Sequence, residues 1–145
     1  MKVTVYFLFS FLLVFSNLIS TTEVFYCTPL DRVGFFKDED TKEYRGGEFV
    51  MLDRFTMSFT SETYSKLVIN DPVNDKKVTY NCRDETTYDE QIHNLYCQES
   101  TNVGPFTFLF SLEKRRFIWF RGSLYGYPTN GGDSSTLSIG TCENF

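Results

Sequence analysis

From residue 24 onward, apolar and polar side chains alternate in short runs instead of recurring at every third or fourth position. The run "FTFLFSLEKRRFIWF" (106–120) carries the pattern densely, with two apolar segments flanking a charged middle. A repeat of two places successive side chains on opposite faces of an extended strand. Strands are therefore expected over 24–28, 47–52, 54–60, 66–70, 77–82, 92–98, 105–112, 116–122 and 136–142. These segments are rich in Phe, Tyr, Val, Ile and Thr, the residues that suit a pleated surface. Turn-forming clusters separate them, including "KDEDTKEYRGG" (37–47), "NDPVNDK" (70–76) and "YPTNGGDSS" (127–135). No window of ten or more residues keeps apolar side chains at helical spacing. "TYDEQIHNLY" (87–96) offers one short helical turn, with Thr87 as N-cap and Glu90 completing a capping box.

The charged middle folds the run at 106–120 back on itself. Setting Ser111 opposite Arg116 pairs Phe110 with Phe117 and Phe108 with Trp119, so four aromatic rings share one face. Thr107, Leu109, Ile118 and Phe120 take the other face, which is also largely apolar. Such a strand is expected to be buried on both sides, or to close a barrel whose outside is covered. Lys114, Arg115 and Arg116 mark the solvent end of the hairpin. An earlier stretch, 54–69, echoes 105–120 at a constant offset of 51 residues. Phe55, Thr56, Phe59 and Glu62 match Phe106, Thr107, Phe110 and Glu113. The echo reads either as an internal duplication or as two hairpins obeying the same turn chemistry.

The first residues break the alternation. Lys2 precedes the apolar stretch "VYFLFSFLLVF" (5–15), and "SNLISTT" (16–22) follows it. A cationic start, an apolar middle and a small-residue exit describe a secretory signal peptide, with cleavage expected after Ser20 or Thr22. The apolar part is shorter than the ~20 residues that cross a bilayer as a helix, and no comparable stretch follows Phe15. The expected organisation is a signal peptide over 1–22 and a single β domain over 23–145. Losing the leader removes one lysine and no acid, which takes the net charge from −5 to −6. A negative surface opposes nonspecific binding to nucleic acid or anionic lipid.

Four cysteines, Cys27, Cys82, Cys97 and Cys142, fit disulfides in an exported domain. No C-x-x-C pair is present, which argues against a zinc ribbon and excludes a thioredoxin-type site on pattern. Of the three pairings, Cys27–Cys142 with Cys82–Cys97 is favoured. The first staples the two ends of the mature domain, and the second closes a short loop worth about 3 kcal/mol on chain entropy. Together these observations predict an all-β single domain of about eight or nine strands, stapled by disulfides. It is either an antiparallel barrel of the lipocalin-like, up-and-down kind or a sandwich.

Residues able to do chemistry are few. His93 is the sole histidine, so no multi-histidine metal site exists, and no G-x-S-x-G motif accompanies it. Two acidic stretches, "DED" (38–40) and "DETTYDE" (84–90), do not fit an EF-hand loop. A carboxylate-based hydrolase would need two of Asp38, Asp84, Glu85, Asp89, Glu90 and Asp133 to converge in one cleft. Near the C-terminus, "YPTNGGDSSTLSIGTC" (127–142) lacks the following helix that a phosphate cradle needs, and Gly140 is read as permitting close packing beside Cys142. The aromatic excess leaves one open choice: Phe55, Phe59, Phe106, Phe108, Phe110, Phe117 and Trp119 either line a cavity for an apolar ligand or fill the core.

"FTFLF…RRFIWFRGSLYGY…GGD…IGTCENF" (106–145) resembles the C-terminal signature of small exported proteins of proteobacteria. "FYC" (25–27) and "VTYNC" (78–82) extend the likeness, which covers about a third of the chain. That resemblance implies an exported, disulfide-closed fold and supplies no catalytic residues. The leader lacks an Ala-x-Ala exit, so a eukaryotic secretory origin stays open. The opening strand also resembles that of periplasmic lysozyme inhibitors, whose Ser-rich inhibitory loop has its nearest counterpart here in "GGDSSTLS" (131–138). The expected function is a secreted or periplasmic, monomeric, non-catalytic binding module for a protein or a small apolar ligand. It needs no cofactor and no metal. The alternatives are an enzyme inhibitor of the lysozyme-inhibitor type and a small carboxylate-based hydrolase.

Overall fold

Nine antiparallel strands account for the alternation along the chain in a computed structural model that describes residues 22–38, 40–72, 75–86, 93–100, 106–122 and 134–145. They are β1 (Glu23–Lys37), β2 (Tyr44–Glu48), β3 (Phe55–Phe59), β4 (Lys66–Asp71), β5 (Lys76–Thr86), β6 (His93–Glu99), β7 (Thr107–Ser111), β8 (Arg116–Gly122) and β9 (Ser134–Asn144). From β3 to β9 each strand pairs with the next, and β9 returns to pair with β1, which also pairs with β3. Eight strands thus close an up-and-down barrel, and β2 adds to the second half of β1. The expected leader (1–22) lies almost wholly outside the described residues, as do positions 87–92 of the expected helical turn; His93 to Tyr96 of that stretch belong to β6.

Strand β1 makes closure possible. Its fifteen residues are long enough to pair with β9 from Phe25 to Phe36 while meeting β3 and then β2 along its other edge. One irregularity interrupts that seam: Pro29 faces Gly140, Asp31 faces Ile139, and Leu30 is the extra residue of a β-bulge. A single extra residue inverts the in–out phase of everything beyond it. Before the bulge, Phe25 and Cys27 point inward and are buried. After it, Arg32 lies opposite buried Ser138, while Val33 and Phe35 are exposed.

The two disulfides are Cys27–Cys142 and Cys82–Cys97, each joining residues directly opposite one another on adjacent strands. Counted around the closed barrel, the β1/β9 and β5/β6 pairs are half a circumference apart, so the staples hold opposite walls. One of them lies on the seam where the ends of the domain meet. There, Phe145 N–H donates to the Val24 carbonyl at 3.1 Å.

Large and small residues complement each other inside. On β8, Phe117 and Trp119 point inward, and their cross-strand neighbours on β9 are Gly140 and Ser138. A Cβ on Gly140 would lie 2.4 Å from the Thr28 carbonyl oxygen and 2.5 Å from the Phe117 ring. Only a glycine fits that position, as its place beside Cys142 suggested.

The expected strand at 47–52 is displaced: β2 occupies Tyr44–Glu48, inside what reads locally as a turn-rich break. The reason is tertiary. The Phe35 ring lies 3.5 Å from where a Cβ of Gly46 would be, and the Phe36 ring 3.2 Å from that of Gly47. Neighbouring rings thus cover two glycines that have low strand preference of their own.

Candidate functional site

The hairpin at 106–120 has the register that its turn chemistry implies, with Ser111 opposite Arg116, Phe110 opposite Phe117 and Phe108 opposite Trp119. The inward face continues onto other strands. Phe55 on β3 meets Phe117 and Trp119 on β8 with ring centroids 5.3 and 5.2 Å apart, and Phe25 on β1 meets Phe110 on β7 at 5.2 Å. Neither β3 and β8 nor β1 and β7 are sheet neighbours, so these contacts run across the barrel. Phe59 and Phe108 are equally buried in the same cluster, and Phe106 packs against it half-buried. The middle of the barrel is occupied by rings.

Above the rings, towards the end of β4 and the start of β5, the interior becomes polar. Trp119 Nε1 donates to the Tyr80 hydroxyl at 3.1 Å. Burial pushes that hydroxyl well above its ordinary value near 10, because phenolate would be poorly solvated there. One residue-pair further along β8, Arg121 Nη1 and Nη2 donate to Asp71 Oδ1 and Oδ2 at 3.2 and 2.8 Å, and the guanidinium lies 4.9 Å from the centre of the Trp119 ring. Arg32, turned inward by the bulge, donates to the Val50 carbonyl at 3.0 Å and to Thr136 Oγ1 at 3.4 Å. Its pKa is lowered by burial first and then by the like charge of Arg121. Arg32 Nε and Ser138 Oγ, on directly opposed residues, are buried without hydrogen-bond partners among the described residues. Apart from those two atoms, this cluster caps the aromatic core with ion pairing and hydrogen bonds.

The candidate carboxylates are dispersed. Asp38 sits in the β1–β2 turn, where the N–H groups of Asp40 and Thr41 donate to its Oδ1 at 3.0 and 2.9 Å. The bond from Thr41 is the main reason its pKa is lowered. Asp84 and Glu85 lie at the other end of the barrel on successive, opposite-facing positions of β5. Asp84 meets His93 Nδ1 at 3.2 Å, and Glu85 meets Arg83 Nη2 at 2.7 Å. Asp89, Glu90 and Asp133 lie outside the described residues. Among the described residues no three His, Cys, Asp or Glu side chains cluster for a metal, and no helix is long and apolar enough to cross a membrane. Of "GGDSSTLS", Ser134 to Ser138 are strand residues of β9, paired with β1 and, from Ser135 on, with β8.

What remains is the outside of the sheet. The second face of the hairpin is not covered as expected: Ile118 is 40 % exposed. Its cross-strand neighbours are Leu109 on β7 and Ile139 on β9, and beyond Ile139 on β1 stand its partner Asp31 and the bulge residue Leu30. Ile139 and Leu30 are 42 % and 60 % exposed. The next row contains Phe120, Leu137 and Val33 in the same order. Two adjacent rows of apolar side chains thus cross β8, β9 and β1, and the first borders a groove of about 700 Å³ floored by Leu109, Ile118 and Ile139. Below the apolar rows runs a polar row, Glu85, Asn94, Ser111, Arg116 and Thr141, each opposite the next. Lys114 and Arg115 follow in the turn, and among the described residues no ion pair reaches any of the three cations.

Leu137 and Ile139 were not singled out from the sequence, although a signal was present. If Cys142 points inward, Gly140, Ser138 and Thr136 share its phase, and Leu137 and Ile139 must face out. Val33 and Phe35 carried no such signal, because their phase depends on the bulge. No family model, curated protein or solved structure matches the chain.

Proposed function

We propose that the chain is a secreted or periplasmic, non-catalytic binding module that recognises its partner through the outer face of β7, β8, β9 and β1. One observation carries this reading: rings occupy the middle of the barrel, while two rows of apolar side chains stand open on its outside. An open apolar stripe of this kind, rimmed by polar residues, is the ordinary mark of a recognition surface. Two disulfides suit an oxidising compartment, in keeping with the leader-like residues 1–22. Asp38 stands at the opposite end of the barrel from Asp84 and Glu85, which speaks against a carboxylate pair made of Asp38 and either of them.

The test is native mass spectrometry and pull-down from the source compartment, comparing wild type with the double variant Ile118→Lys/Ile139→Lys. The expected result is a ligand or protein that travels with wild type and is lost from a variant of unchanged fold. A companion retained by the double variant would place recognition elsewhere and refute the reading.

A further inference from the structure

The groove on the outer face is apolar along its floor and carries Arg116 on one side, and that arrangement defines what fits it. Leu109, Ile118 and Ile139 line up directly across three neighbouring strands; on the fourth, Asp31 stands opposite Ile139 and the bulge residue Leu30 beside it also lines the groove. At about 4.8 Å per strand, the four strands span ~14 Å between their outer axes, and more with the side chains at the ends. The groove volume of about 700 Å³ lies in the range of clefts that enclose a small molecule. Along one side of this line stands Arg116, directly opposite Thr141 and Ser111, followed by Lys114 and Arg115 in the turn. Among the described residues none of the three cations forms an ion pair, although the chain as a whole is acidic at −5.

We infer that the groove takes a single-chain anionic amphiphile, its hydrocarbon chain on the Leu109–Ile118–Ile139–Leu30 line and its carboxylate or equivalent headgroup at Arg116. This rests on the outer face being the recognition surface and names what that surface selects. Two charged side chains line the groove, Glu85, already paired to Arg83 at 2.7 Å, and Arg116, and the second decides the polarity: an uncharged molecule would leave Arg116 unused, and a cationic one would be repelled by it. The occupant is a free molecule and not a bilayer. Glu85 beside Arg83, Asp31 and Glu143 stand on the same outward side, and the net negative charge repels an extended anionic surface, whereas one headgroup reaches Arg116 alone.

The experiment uses the oxidised protein and cis-parinarate, a fatty acid whose fluorescence rises in an apolar site, with hexadecanoate, hexadecanol and phosphatidylglycerol vesicles as competitors. Saturable one-to-one binding is expected. Hexadecanoate should displace the probe at least tenfold more effectively than hexadecanol. Ile118→Lys should weaken binding tenfold or more, and Arg116→Gln should remove most of the preference for the acid over the alcohol. Methyl chemical shifts of Ile118 and Ile139 in the unmutated protein should move during the titration, so the assignment does not depend on a variant folding. Equal displacement by the alcohol, or association with vesicles without binding of the monomeric acid, overturns the inference and leaves the outer face as a recognition surface for another partner. Full binding by Ile118→Lys with unmoved Ile118 and Ile139 methyls overturns both.

Discussion

Removing the two disulfides one at a time should cost unequal amounts of stability, and the inequality follows from topology. Cys27 and Cys142 are separated by 115 residues, whereas Cys82 and Cys97 are separated by 15. In both pairs the cysteines are directly opposed on neighbouring strands with Cα atoms 4.0 Å apart, so the folded-state geometry is matched. The difference then lies in the unfolded chain. Loop-closure entropy gives ~4.8 kcal/mol for the long loop and ~3 kcal/mol for the short one, a gap of about 1.8 kcal/mol. The comparison uses the double variants Cys27→Ala/Cys142→Ala and Cys82→Ala/Cys97→Ala, which leave no unpaired thiol to exchange. Each replaces two small, largely buried sulfurs by methyl groups, so packing losses nearly cancel in the difference. Urea unfolding monitored by near-ultraviolet dichroism should place the seam variant lower in midpoint by about 1.8 kcal/mol divided by the common m-value. A seam variant no less stable than the Cys82–Cys97 variant would refute the chain-entropy account. The staples would then act by holding native geometry.

Four further outcomes are expected. Gly140→Ala should destabilise by about 2 kcal/mol or more in the same unfolding assay, because its Cβ would overlap the Thr28 carbonyl and the Phe117 ring. Asp71→Asn should cost about 3 kcal/mol by leaving Arg121 without its carboxylate, and the double change Asp71→Leu/Arg121→Leu should cost less than that single change. Ser138→Ala should be neutral or stabilising by up to about 1 kcal/mol, since the hydroxyl it removes is buried without a partner among the described residues. For Tyr80, the folded-state pKa is raised, so its contribution is complete below the ordinary value near 10 and is lost as pH rises above it. Wild-type stability should therefore fall more steeply above pH 10 than that of Tyr80→Phe, and equal slopes would count against a buried neutral hydroxyl.

Much of the candidate site was present in the one-dimensional pattern. The inward ring face of β7 and β8 followed from alternation plus a turn that fixes the partner residues, because both constraints act over a few positions. The outward aliphatic residues Leu109 and Ile118 were visible by the same rule, but whether anything covers them is a question about distant parts of the chain. The alternation correctly said "apolar on both sides" and could not say that the second side is open. The cations at the hairpin tip were likewise legible. Whether they stand beside an apolar floor depends on Ile139 and Leu30 arriving beside Ile118, which required β9 and β1 to close on β8.

The sequence by itself determined that this is an all-β, disulfide-stapled chain of about nine strands, since strand formation and turn placement depend on neighbours a few residues away. Tertiary structure alone decided three things. It chose a closed barrel over a sandwich, because closure rests on the β1–β9 pairing between opposite ends of the chain. It placed β2 on two glycines, because the rings that cover them come from β1. It also turned Val33 and Phe35 outward and Arg32 inward through one extra residue at Leu30. A bulge leaves no mark in a period-two pattern except a change of phase, and that change is visible only against the strand it pairs with.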